Sequence, residues 1–104
     1  MSSTDHDATP PPLRAPERLV AENRLDFRRT ALEHVEKASL GGQEHVDIDL
    51  GTTLEIDASG LGVLVLVQKR ARERHLVTKL LSVSPPVREM LKLTRLDGLF
   101  DMVE

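Results

Sequence analysis

The chain has no cysteine, no tryptophan and no tyrosine, and its only aromatic residues are Phe27 and Phe100. Without cysteine there is no disulfide framework, no thiolate zinc site and no thiol nucleophile. Without an aromatic platform, single-stranded nucleic acid has nothing to stack on. Positive charge is not in excess either: 14 Lys plus Arg against 17 Asp plus Glu leaves a formal net charge of −3, so the chain as a whole is not drawn to phosphate backbones or anionic lipid. The longest apolar run lies within Leu61 to Val67, far short of the roughly 20 residues that cross a bilayer. No apolar stretch follows the start methionine, as a secretion signal would require. These absences predict a soluble cytoplasmic protein with no membrane insertion and no direct nucleic-acid partner.

What is present fits one small α/β domain. The 104 residues are 39% hydrophobic and 30% charged, which excludes disorder throughout and leaves no room for two catalytic lobes. Residues 1–16 hold four of the six prolines together with Ser, Thr and Asp, and are predicted to be a disordered tail ahead of a domain over 17–104. In Arg18 to Asp26, Leu19, Ala21 and Leu25 alternate, with a break at Asn23, which predicts a short strand and a turn. Ala31, Leu32, Val35 and Ala38 recur at helical spacing and predict a helix over Arg28 to Ala38, ended near Gly41 and Gly42.

His45 to Leu50 alternates Val46, Ile48 and Leu50 with Asp47 and Asp49, a strand pattern of period two. Leu54 and Ile56 give a second short extended piece. From Leu61 the apolar run continues without a breaker into Gln68 to Arg74, which predicts a helix buried in its first half and solvated in its basic second half. Val77 to Val83 reads as a strand. Ser84, Pro85 and Pro86 read as a capped helix entry, and Gly98 as a left-handed C-cap. Leu99, Phe100, Met102 and Val103 are predicted to close the chain against the core. Alternating strands and helices call for substantial parallel pairing.

Ser59 is the residue of most chemical interest, since it lies between a short strand and a buried helix where a hydroxyl both caps and faces outward. Residue type alone predicts capping. Gly60 and Gly62 read as packing glycines, because the stretch lacks the third glycine of a dinucleotide fingerprint and the lysine of a phosphate loop. No cofactor is expected. Asp57 stands where a nucleophile elbow needs its first glycine, so hydrolase chemistry is not indicated and no enzymatic activity is expected. The four histidines, His6, His34, His45 and His75, have no spacing that pairs two on one helix turn, so no metal site is predicted. Asp47 and Asp49 read as an exposed edge or loop-facing pair, and Lys69, Arg70, Arg72, Arg74 and His75 as a solvated face.

The order IDL, TTLEI, DASGLG, LVLVQKRARER and SVSPPVREMLKLTRLDGLF resembles the STAS domain family, that of bacterial anti-sigma factor antagonists, over roughly Leu19 to Val103. The resemblance implies a small mixed sheet of parallel and antiparallel strands with helices packed on it. It implies that Ser59 is the phosphoacceptor of a serine-kinase-type anti-sigma factor, and that Asp57, Ala58, Ser59, Gly60, Leu61 and Gly62 form the partner-binding stretch. A phosphatase of the PP2C type would reset such a switch. The family also implies alternatives: an accessory subunit of a lipid-transporting ABC complex, or a component of a signalling scaffold. The chain departs from the family in three places. Ala58 replaces a serine, Arg95 stands where glycine is usual, and the link at His75 and Leu76 lacks the usual glycine. An opening strand, usual in the family, is not expected from the proline-rich tail.

On physical grounds a phosphate at Ser59 would add about −1.5 to −2 charges at a helix N-terminus that tolerates them, so folding should survive. Docking should not, because Asp57 already supplies negative charge and the dianion must be desolvated.

Overall fold

The computed structural model describes residues 11–103. Nine regular elements run in the order β1 (Leu13–Arg14), β2 (Arg18–Leu19), α1 (Arg24–Leu40), β3 (His45–Asp49), β4 (Glu55–Ile56), α2 (Ala58–Glu73), β5 (Val77–Leu81), α3 (Pro85–Leu93) and β6 (Asp101–Val103), with 3₁₀ turns at Ala21–Asn23 and Asp97–Leu99. Four strands form a sheet in the order β1-β3-β5-β6, and β2 pairs with β4 in a separate two-stranded ribbon. The α/β class is as the sequence predicts. Every described pairing is parallel, however, where a mixed sheet was expected. The pairs β3–β5 and β5–β6 are each joined through a helix, and a helical crossover returns the chain in the same direction.

Burial in the sheet follows the period of the sequence. Val46 and Ile48 on β3 and Leu80 on β5 are fully buried, with Thr78 beside them. In the register Val46 faces Thr78 and Ile48 faces Leu80, so α1 and α2 cover one continuous apolar face. His45, Asp47, Asp49, Lys79 and Leu81 lie half-buried on the opposite face. Helix α2 contributes Leu61, Val63, Leu64, Val67 and Ala71 to the core, and its last turns carry Arg70 and Arg72 in solvent. This is the division its sequence predicts.

The N-terminal third departs from expectation in three ways. Leu13–Arg14 form a strand within the stretch predicted to be a disordered tail, pairing Leu13 with Ile48, and Ala15 is buried beside it. Residues 1–10 of that predicted tail lie outside the described residues. Proline is tolerated here because β1 is an edge strand. The strand expected over Arg18 to Asp26 is only Arg18–Leu19, and α1 begins at Arg24 rather than Arg28. Asn23 causes this: its side-chain oxygen accepts the Val20 N–H at 3.0 Å and its amide donates to the Arg18 carbonyl at 2.6 Å, closing a turn that leads straight into the helix. Leu25 is consequently 61% exposed, and Phe27 is the buried residue of that turn.

Two smaller readings also change. The Ser84 hydroxyl does not cap α3; it donates instead to the buried Thr53 carbonyl, tying the start of α3 to the loop before β4. The C-terminal residues form a strand, β6, that was not predicted. Phe100 is buried there, while Leu99 and Val103 are 40% and 37% exposed and do not close the core.

All three helices end in the same hydrogen-bonded motif. In α1, Gly42 donates to the Ser39 carbonyl and Gln43 to Ala38. In α2, His75 donates to Arg72 and Leu76 to Ala71; in α3, Arg95 donates to Lys92 and Leu96 to Leu91. Each motif requires one residue in the left-handed region. Gly42 supplies it in α1 (φ 71°), but His75 (φ 61°) and Arg95 (φ 59°) supply it in α2 and α3. Gly98 has no positive φ and is not the cap of α3, which ends five residues earlier. A side chain in this conformation costs about 1–2 kcal/mol, partly recovered in the unfolded state of a glycine variant. His75→Gly and Arg95→Gly are therefore expected to raise stability by about 0.5–1 kcal/mol each. Urea denaturation checks this; an unchanged or lowered midpoint contradicts it.

Candidate functional site

The site is built where β2, β4 and the first turn of α2 meet. Pairing of Arg18 with Glu55 and Leu19 with Ile56 brings the two short strands together, reinforced by an ion pair of 2.9 Å between the Arg18 Nε and the Glu55 carboxylate. The chain then turns into α2 through Asp57, which is the N-cap in extended conformation. Its Oδ1 accepts the Gly60 N–H at 2.9 Å and its Oδ2 accepts the Ala21 N–H at 3.0 Å. One carboxylate thus holds the start of α2 and the 3₁₀ turn before α1. The Gly60 hydrogen bond holds the Asp57 carboxyl below its ordinary aspartate value, against some loss of hydration and with help from the Ala21 and Ser59 N–H groups.

Capping by Asp57 changes the reading of Ser59. Ser59 is the second residue of the helix, not its cap. It is half-buried, and its hydroxyl makes no hydrogen bond among the described residues. The structure gives the hydroxyl no task of its own.

The two glycines also separate. A Cβ on Gly60 would lie 2.2 Å from the Leu19 carbonyl oxygen and 2.9 Å from the Ile56 side chain, so β2 lies directly on the helix at this point. A Cβ on Gly62 would meet nothing within 4 Å. Gly62 is exposed.

Of the six residues expected to meet a partner, Gly60 and Leu61 are buried, Leu61 at 7% exposure, and Asp57 is turned into the cap. Ala58, Ser59 and Gly62 remain on the surface, along one side of an open groove of about 350 Å³. The groove continues through Val63 and Leu66 on α2, and its other wall is Arg24, Leu25 and Arg28 on α1. This wall was missed in the sequence, where Arg24 and Leu25 fell in the stretch expected to be a strand and turn and Arg28 was the first residue of the expected helix. Helical spacing of Arg24, Leu25 and Arg28 was the available signal.

Of the other residues singled out, Asp47, Asp49, Arg70 and Arg74 have structural partners. Asp47 lies 2.7 Å from His45 Nδ1, and Asp49 Oδ1 accepts the Gly51 N–H at 2.8 Å. Their strand is internal to the sheet, not an edge. At the end of α2, Arg70 pairs with Glu73 at 3.3 Å and Arg74 with Glu36 at 2.7 Å. A second groove of about 360 Å³, between β1 and α1, is lined by Leu13, Arg14, Asn23, Asp26 and Phe27 among others. It contains none of the expected site residues. Among the described residues, no helix is long and apolar enough to cross a membrane.

A family model described as "Mlab, STAS domain" matches residues 2–104. Among solved structures, a protein assigned as an anti-sigma factor antagonist from Thermotoga maritima is similar, with a TM-score of 0.75 and 22% identity over 95% of this chain and 88% of that one. The anti-sigma factor antagonist SpoIIAA in its unphosphorylated form is also similar, with a TM-score of 0.61 and 17% identity over 88% of this chain and 76% of that one. At these identities the likeness is one of fold. No curated protein matches the chain.

The glycines supply a paired test of this geometry. Gly60→Ala is expected to destabilise the protein by about 3 kcal/mol, because the obstructing atom is backbone. Gly62→Ala, two residues on, is expected to stabilise it by about 0.5–1 kcal/mol through helix propensity. Chemical denaturation of both variants checks the pair, and effects of the same sign would contradict the packing described.

Proposed function

This chain belongs to the STAS domain family, and we propose that it acts as an anti-sigma factor antagonist: a cytoplasmic, non-enzymatic regulator that binds a serine-kinase-type anti-sigma factor and is switched off by phosphorylation of Ser59. The observation that carries this reading is the position of Ser59. Its side chain is half-buried, its hydroxyl is free of hydrogen bonds among the described residues, and it lines an open groove with both apolar residues and arginines on its walls. A kinase can reach it without unfolding anything.

In the transfer, the γ-phosphorus of ATP forms a bond to the Ser59 oxygen as its bond to ADP breaks, and the hydroxyl proton passes to a base of the kinase. Phosphoserine carries about −1.5 to −2 charges. Before modification, Leu25, Ala58, Gly62 and Leu66 offer the partner a shallow apolar surface with arginines at its edge. Afterwards the partner would have to desolvate a dianion at the centre of the contact, which is expensive unless new partners are provided. A PP2C-type phosphatase would hydrolyse the ester and restore binding.

A second reading has one observation in its favour. The matching family model carries the MlaB description and not an anti-sigma one, which supports an accessory subunit of a lipid-transporting ABC complex.

Three baits separate the two: wild type, Ser59→Ala and Ser59→Asp, each used to capture partners from lysate of the native organism for mass spectrometry. The expected result is a kinase-fold protein held by wild type and Ser59→Ala and lost by Ser59→Asp. A penalty of about 3 kcal/mol would lower affinity more than a hundredfold. Recovery of an ABC-transporter ATPase, indifferent to charge at position 59, would overturn the phospho-switch.

A further inference from the structure

The charge around Ser59 is not what the sequence order suggests. Asp57 is the nearest carboxylate along the chain, yet its two oxygens accept the Gly60 and Ala21 N–H groups, so its charge is already engaged by backbone donors. Among the described residues, no carboxylate and no histidine lines the groove. The charged groups that do line it are Arg24 and Arg28, one helical turn apart on α1 and therefore on the same face.

The neighbouring arginines show that this is not a general feature of the helix. Arg18 pairs with Glu55 at 2.9 Å and Glu22 at 3.6 Å, and Arg29 pairs with Asp26 at 3.6 Å. Arg24 and Arg28 have no carboxylate partner among the described residues. Two arginines without a carboxylate partner among the described residues thus line the same open groove as Ser59.

We propose that Arg24 and Arg28 are an intramolecular receptor for the phosphoryl group on Ser59, so that phosphorylation withdraws two arginines from the docking surface. This deepens the proposed function and rests on its assignment of Ser59 as phosphoacceptor. Guanidinium groups bind phosphate oxygens through paired, charge-assisted hydrogen bonds. The charge balance fits: two arginines contribute +2, and phosphoserine about −1.5 to −2 at neutral pH. Unmodified, the groove presents a positive rim suited to carboxylates on a partner. Modified, it is close to neutral and its arginines are occupied. The switch then works by removing an attraction, and Asp57 contributes little to it.

The test installs phosphoserine at position 59 during synthesis, so no kinase is needed. The full chain is titrated at low salt by phosphorus NMR in four forms: otherwise wild type, Arg24→Gln, the double variant Arg24→Gln/Arg28→Gln, and Arg29→Gln. Nearby positive charge favours the dianion. The phosphate of the otherwise wild-type form is expected to lose its last proton below the ordinary value near 6. The double variant should return upward by about 0.5–1 unit, discounted for solvent exposure, with the single variant intermediate. Arg29→Gln, whose arginine is paired outside the groove, should leave the titration unchanged. Equal titration in the wild-type and double-variant backgrounds, or an equal shift from Arg29→Gln, overturns the receptor. Because both groove arginines are exposed, the variants should fold, and far-ultraviolet circular dichroism checks that each does. A normal arginine-dependent shift combined with no phosphorylation of Ser59 in cells would leave the receptor standing and remove the phospho-switch.

Discussion

The Leu19 carbonyl oxygen and the Gly60 α-carbon approach so closely that no side chain fits between them. This contact seats the two-stranded ribbon β2–β4 on the first turn of α2. It also sets the direction in which that helix leaves the ribbon, and so which of its residues face the core and which face α1. Asp57 secures the same junction with two hydrogen bonds of 2.9 and 3.0 Å. Backbone packing and one carboxylate thus determine where Ser59 is displayed, and among the described residues the Ser59 hydroxyl takes no part in holding it there.

That separation between support and display is what a modifiable surface needs. A serine serving as helix cap would lose its hydrogen bond on phosphorylation, with a cost to the fold of about 1 kcal/mol. Here the cap is Asp57, two residues earlier, and the serine at the second helical position has a hydroxyl free of hydrogen bonds among the described residues. The apolar core under it, Leu61, Leu64 and Val67, faces away. Modification can change the charge of the groove while leaving the packing alone. The groove itself exists only because α1 and α2 pack side by side, which places residues some 30 positions apart in the chain on its two walls.

Much of this was legible in the sequence where one physical signal dominated. Period two marked β3, and Val77 to Val83 was legible as the strand that became β5. An unbroken apolar run passing into a basic one marked α2, and Gly41 and Gly42 marked the end of α1. The parts that were not legible share a cause: a local cue was replaced by a tertiary one. Leu13 follows a run of prolines and becomes a strand only because Ile48 is beside it. His75 and Arg95 close helices in a conformation that points to glycine, held there by the burial of the chain that follows, with Leu76 only 5% exposed. Ser84 carries the signature of a cap, but the Thr53 carbonyl competes successfully for its hydroxyl. The candidate site divided in the same way. The contiguous stretch Asp57 to Gly62 was visible as a unit, yet half of it proved structural. The opposite wall, Arg24, Leu25 and Arg28, has helical spacing, but its meeting with α2 comes from helix packing that spacing alone does not announce.

The central claim is that a phosphoryl group on Ser59 alters a surface and not the fold. It is tested most directly by comparing backbone amide NMR spectra and urea denaturation of the unmodified protein and the form carrying phosphoserine at position 59. The account predicts shifts confined to the first turns of α1 and to Asp57 through Leu66, with stability unchanged within about 0.5 kcal/mol, as for other surface changes. Shifts spread through β3 and β5, or a clear loss of stability, would contradict it.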